Sequence, residues 1–171
     1  MILITVGRTL PFDRLIRLVD QGVEAGLLRG AEFFAQIGEG SYVPKHFDYV
    51  RMLSADEMEA RMSASRAIVG HAGIGTIMSA AQRDKPLIVV PRMAGPLREC
   101  VDDHQLETAR SFSDRGHVLM AETVAELADC VARLDTFVPQ PRRPKVRSLS
   151  NRIGSFISEA PVHGAPAMHV S

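Results

Sequence analysis

Six short apolar runs recur along this chain, and most are separated by stretches whose apolar residues repeat at helical spacing. This alternation restricts the fold more than any other feature. Strands that run parallel need crossover connections, and helices supply them. Met1 to Val6, Glu32 to Ile37, Phe47 to Leu53, Ala67 to Val69, Leu87 to Pro91 and His117 to Met120 read as strands. Runs that stay apolar instead of alternating mark strands buried on both faces. A first helix starts near Pro11 and Asp13 and sets Leu15, Ile16, Leu18, Val19, Val23 and Leu27 on one side. Ser54 and Glu57 form a capping box that opens a second, with Met58 and Met62 facing the core. A third ends near Arg83. A fourth is opened by Asp102 and Asp103, with Leu106, Ala109 and Phe112 on its apolar side. A fifth spans Glu122 to Leu134 with Val124, Leu127, Cys130 and Val131 inward. The fold expected is α/β: a Rossmann-like, doubly wound parallel sheet in the order 3-2-1-4-5-6.

Composition narrows the function. The 171 residues suit one domain with a real core. Twenty basic residues balance twenty acidic ones, so no general attraction to nucleic acid is implied. Aromatics make up 5%, too few for base-stacking platforms. Cys100 and Cys130 stand far apart and read as free thiols of a reducing compartment. No run is long enough to span a membrane, and Met1 to Gly7 does not read as a signal peptide. The expected location is the cytoplasm. His46, His163 and His169 carry no evident role, and His117 reads as structural.

The chemistry concentrates at Val69-Gly70-His71-Ala72-Gly73-Ile74-Gly75-Thr76. A strand enters this turn and a helix leaves it. Gly73 and Gly75 permit a tight turn and close approach of a ligand. The first helical N–H groups lack intrahelical acceptors and face outward toward an anion. His71 and Thr76 add side-chain donors. One reading is a diphosphate cradle; the other is an ordinary strand-to-helix turn capped by Thr76. In the expected strand order the first and fourth strands are neighbours at the switch point, where ligands bind beyond the carboxyl ends. Gly7-Arg8-Thr9 and His71 to Thr76 would meet there, which favours the cradle.

Other nucleotide signatures are missing. Gly7 stands alone, so the dinucleotide fingerprint is absent, and no P-loop occurs. Neither Asp-x-Asp nor a metal-spaced His/Cys/carboxylate cluster is present, so no metal and no cofactor is expected. A bound diphosphate would be neutralised by helix N–H groups, His71 and Arg8.

His71-Ala72-Gly73-Ile74-Gly75-Thr76, Lys85-Pro86-Leu87-Ile88-Val89-Val90-Pro91-Arg92 and Asp103-His104-Gln105-Leu106 together strongly resemble the C-terminal, donor-binding half of family 28 glycosyltransferases. So do Val6-Gly7 with Leu10-Pro11-Phe12-Asp13-Arg14-Leu15-Ile16, and Gln36-Ile37-Gly38 followed by Ser41-Tyr42. The similarity covers about residues 1–135. It is greatest to the small catalytic subunits of bacterial exopolysaccharide and capsule assembly, and to the small subunit of the eukaryotic transferase acting on dolichol-linked GlcNAc. The resemblance implies the donor half of a GT-B glycosyltransferase. His71, Gly73, Ile74, Gly75 and Thr76 would hold the diphosphate of a UDP-sugar, with Gly7, Arg8 and Thr9 opposite. Ser79 stands where an acidic residue commonly binds the ribose. Asp103, His104 and Gln105 match the pair that contacts the donor sugar, and uracil would lie near Met52 to Ser54.

The same resemblance implies partners. The acceptor-binding half is expected on a second, membrane-anchored polypeptide that also carries the general base. The acceptor is expected to be a lipid-linked glycan in exopolysaccharide synthesis, and the partner would hold this cytoplasmic chain at the inner membrane. The organisation expected is a nucleotide-sugar-binding domain over 1–135, a Pro/basic linker over 136–145, an amphipathic helix over 146–160 and a disordered tail over 161–171. That helix could fold back on the domain or lie on an anionic membrane. The alternative function is a non-catalytic nucleotide-sugar sensor or scaffold, favoured by Ser79 and by the absent base.

Overall fold

The computed structural model describes residues 1–94, 99–100 and 103–140. The expected helix over 146–160, the tail, and the linker beyond residue 140 lie outside the described residues, as does part of the 93–103 loop. The strands are β1 (Ile2–Thr5), β2 (Phe33–Gln36), β3 (Asp48–Val50), β4 (Ala67–His71), β5 (Leu87–Val90) and β6 (Leu119–Met120). The helices are α1 (Asp13–Glu24), α2 (Ala55–Ala64), α3 (Ile74–Ala81), α4 (His104–Asp114) and α5 (Val124–Arg133). All strands are parallel in the order β3-β2-β1-β4-β5-β6, as the pattern of apolar runs predicts.

Alternate residues of each central strand enter different cores. Ile2, Ile4, Ala67, Val69, Ile88 and Val90 pack with Leu15, Ile16 and Val19 of α1 and Leu127 of α5. Leu3, Ile68, Leu87 and Val89 face the other way, onto Met62 of α2, Ile77 and Ala80 of α3, and Ala109 of α4. Both faces are covered, which is why these strands run apolar without alternation until their carboxyl ends, where Thr5 and His71 stand. β3, at the edge, is short and largely exposed.

Helix ends follow local chemistry. Ser54 accepts the Glu57 N–H and Glu57 reaches back to Ser54, as expected for α2. Thr123 and Glu126 make the same reciprocal box, so α5 starts after Thr123 and not at Glu122. α1 stops earlier than its apolar spacing suggests. The chain reverses at Gly26, whose φ is +72°, and Leu28 tucks back over Gly22. Leu27, expected on the buried side, is 56% exposed in consequence, and Leu28 takes its place.

Asp20 ties α1 to the segment between β2 and β3. Its carboxylate accepts from the Tyr42 hydroxyl at 2.6 Å and from the Lys45 and His46 backbone N–H groups. His46 Nδ1 lies 3.1 Å from the same group, a role the sequence does not suggest. Burial alone would raise the Asp20 carboxyl, but these hydrogen bonds outweigh it and hold it below its usual 3.8. The Asp20 contact, with burial, pushes Tyr42 up to about 12.

Asp20→Asn should therefore destabilise the fold by about 1–3 kcal/mol at neutral pH, because buried donors lose a charged acceptor. A carboxyl held low in the native state stabilises above its unfolded value and loses that contribution as pH falls through the native one. The gap between wild type and variant should close below pH 3.8. Urea unfolding from pH 7 to pH 3 measures it; a gap that does not change with pH would contradict the assignment.

Candidate functional site

β1 and β4 lie side by side, with Thr5 opposite Gly70, so the turns that leave them meet at the carboxyl edge of the sheet. Gly7 takes φ +83°, a left-handed conformation that glycine adopts without strain. Its N–H donates to Thr5 Oγ1 at 3.2 Å, and its carbonyl accepts from Gln36 Nε2 at 3.2 Å. Gln36 in turn accepts the Thr5 hydroxyl at 2.8 Å. Gly7 is thus locked from both sides by residues without a predicted role.

The His71 ring fills the space between the two turns. A Cβ on Gly7 would lie 2.7 Å from His71 Nε2, and one on Gly73 would lie 2.2 Å from Cε1. Both positions need glycine for the ring itself, a stronger reason for Gly73 than ligand approach. Gly75 differs: a Cβ there would meet nothing within 4 Å, so the space over the start of α3 is open.

Hydrogen bonds fix the ring's protonation. The Gly73 N–H donates to Nδ1 at 3.0 Å, so Nδ1 is unprotonated and Nε2 carries the hydrogen. Nε2 lies 3.2 Å from Thr76 Oγ1, and the Gln105 side chain also hydrogen-bonds the ring. Burial, together with the Arg92 charge, lowers His71 from 6.5 to about 4 despite Gln105. The imidazole is neutral at physiological pH, with Thr76 and Gln105 as its side-chain partners.

No side chain caps α3, in contrast to the boxes on α2 and α5. Its N-cap is Gly73, so the expected alternative of a capping Thr76 does not hold: Thr76 is a buried residue of the first turn. The Ile74, Gly75 and Thr76 N–H groups are left facing outward, where the helix dipole favours an anion. Ile74 and Gly75 are exposed.

The predicted residues divide by position. Gly7, His71, Gly73, Thr76 and Gln105 are drawn together. Arg8 and Thr9 are exposed on the adjoining loop. Ser79 is half-buried further along α3, and its carbonyl accepts from Arg83. Asp103 does not cap α4 by its side chain; it accepts the Ala94 N–H at 3.0 Å and so closes the loop before the helix. His104 is exposed at the first position of α4. Sequence reasoning missed Arg92, which is 3% exposed and lies under the site. A cation directly after an all-apolar strand was the available signal. Among the described residues, no cluster of His, Cys, Asp or Glu could hold a metal ion, and no helix is long and apolar enough to cross a membrane.

Comparison with known proteins identifies the family. Residues 1–156 match the glycosyltransferase family 28 C-terminal domain. The UDP-N-acetylglucosamine transferase subunit ALG13 of Eremothecium gossypii is 30% identical over 177 residues, which is 82% of this chain and 85% of the relative. The solution structure of ALG13 superposes with a TM-score of 0.56 at 19% identity, over 89% of this chain and 93% of that one. The glycosyltransferase SnogD of Streptomyces nogalater gives a TM-score of 0.55 at 21% identity, with 94% of this chain covering 40% of SnogD. The two structures speak to the fold alone.

The native ring resists protonation, so the unfolded state binds more protons between pH 6.5 and about 4. Stability should fall as pH drops through that window, by roughly 3 kcal/mol in full. His71→Asn should flatten this slope. Thermal unfolding of both proteins across the window tests it, and equal slopes would show that His71 is not held neutral.

Proposed function

Because the chain belongs to the glycosyltransferase family 28 C-terminal domain family, we propose that it is the donor-binding catalytic subunit of an inverting, UDP-sugar-dependent transferase. The observation that carries this reading is the uncapped start of α3 beside the neutral His71, with open space over Gly75. The diphosphate sits there. An acceptor hydroxyl attacks the anomeric carbon, a new C–O bond forms, and the bond to the UDP oxygen breaks. Negative charge grows on the leaving diphosphate and is met by the first N–H groups of α3 and by Thr76. These donors are already oriented, so they need not reorganise as the charge develops.

The finer assignments rest on the relatives. ALG13 is named as a UDP-N-acetylglucosamine transferase subunit, which supports GlcNAc as the donor sugar and a second subunit as partner. The partner binds the lipid-linked glycan, supplies the base that takes the acceptor proton, and holds this chain at the membrane. Water is excluded when it closes over the carboxyl edge of the sheet. Whether the glycan belongs to exopolysaccharide or to another lipid-linked polymer follows from the partner.

UDP should bind the purified chain in calorimetry with a chelator present. Co-expression with the acceptor subunit should then switch on transfer from UDP-GlcNAc to a lipid-linked acceptor. Binding that appears only with magnesium would refute the metal-free cradle. Transfer by the lone chain at a rate no second protein changes would refute the split enzyme.

A further inference from the structure

We propose that Arg92 is a positioning residue of this site, a buried cation that fixes the turn after β1 against His71. Arg92 follows Pro91 at the end of β5, yet its guanidinium reaches across to the loop between β1 and α1. Nη2 donates to the Val6 and Leu10 carbonyls at 2.8 Å each, and Nη1 to the Pro11 carbonyl at 2.6 Å. Nη1 also lies 3.4 Å from the Glu99 carbonyl. These three loop carbonyls flank Gly7 to Thr9, so one planar group sets the shape of the whole turn. Only a guanidinium presents enough donors in one plane to hold them together.

The guanidinium carries its charge without a carboxylate in direct contact among the described residues. Glu99 gives its carboxylate to Arg14, at 2.9 and 3.0 Å, and to the Met93 N–H. Both cations lie over the Phe12 ring, whose centre is 4.5 Å from Arg92 Cζ and 5.4 Å from Arg14 Cζ. Glu99 therefore acts on Arg92 through space and not by a direct ion pair, and the Arg92 charge in turn reaches His71.

Arg92 acts on His71 along two structural routes. Through Val6, Leu10 and Pro11 it seats Gly7 against the ring. Through its own backbone N–H it holds Gln105 Oε1 at 3.2 Å, and Gln105 hydrogen-bonds the ring from the α4 side. Its charge adds to burial in keeping the imidazole neutral. The loop after β1 is thereby tied to the Arg92 side chain and Gln105 to its backbone, and the side chain is itself too buried to meet a ligand.

The inference rests on the nucleotide-binding reading only for its affinity arm. Arg92→Met keeps much of the volume and removes the charge; Arg92→Lys keeps the charge and loses the planar fork. UDP affinity by calorimetry and His71 titration by NMR would be measured on the full chain. In Arg92→Met the His71 value should rise above about 4 but stay below 6.5, because the larger effect of burial remains, and UDP should bind at least tenfold more weakly. In Arg92→Lys His71 should stay low while UDP affinity still falls several-fold, because the turn is no longer held. UDP affinity within twofold of wild type in both folded variants, with His71 unmoved, would overturn the proposal. If neither variant folds, Arg92 belongs to the core and not to the site, and the proposal falls. If wild type itself fails to bind UDP, the nucleotide reading is wrong, and the His71 titration in Arg92→Met still decides the role of Arg92.

Discussion

One imidazole ring holds the site together. His71 fits at the carboxyl edge of the sheet only because Gly7 and Gly73 leave room on either side. The Gly73 N–H then selects the tautomer, and Thr76 and Gln105 are the ring's side-chain partners. Two turns distant in sequence are thus joined by a group that stays neutral. A charged ring would lose the Gly73 hydrogen bond, since Nδ1 could no longer accept. Neutrality is therefore a condition of the geometry as well as a result of burial.

The rest of the fold serves that arrangement. Parallel pairing of β1 with β4 brings the turns to one edge, and covering both faces of the sheet makes the pairing rigid. Capping boxes close α2 and α5; α3, like α1 and α4, has no side-chain cap, and its start faces the open space over Gly75. The polar residues buried beneath the site have the opposite character. Gln36 and Arg92 are fully engaged by neighbouring backbone and side chains, and no buried side-chain nitrogen or oxygen lacks a partner among the described residues. They shape the loops from below and leave the outward donors of α3 for a ligand.

Legibility in the sequence followed contact range. The strand order could be read because continuous apolar runs such as Leu87–Val90 report burial on both faces by themselves. The α2 cap could be read because Ser54 and Glu57 are three residues apart. His71 and Thr76 were legible for the same reason, being five apart on one turn. Leu28 could not be told from Leu27, because the reversal at Gly26 decides which of them is buried. Arg92 lies 86 positions from Val6, and Asp20 lies 22 from Tyr42; nothing local announces such pairs. Gln36 and Arg92 stood inside stretches with the family resemblance, yet their work as supports appears only when the loops are seen together.

The central claim is that the start of α3 holds a diphosphate. The most direct test is to follow backbone amide signals of the chain while it is titrated in parallel with UDP and with uridine. The amides of Ile74, Gly75 and Thr76 should shift strongly with UDP and hardly at all with uridine. Equal shifts with both, or UDP shifts confined to other parts of the chain, would contradict that claim.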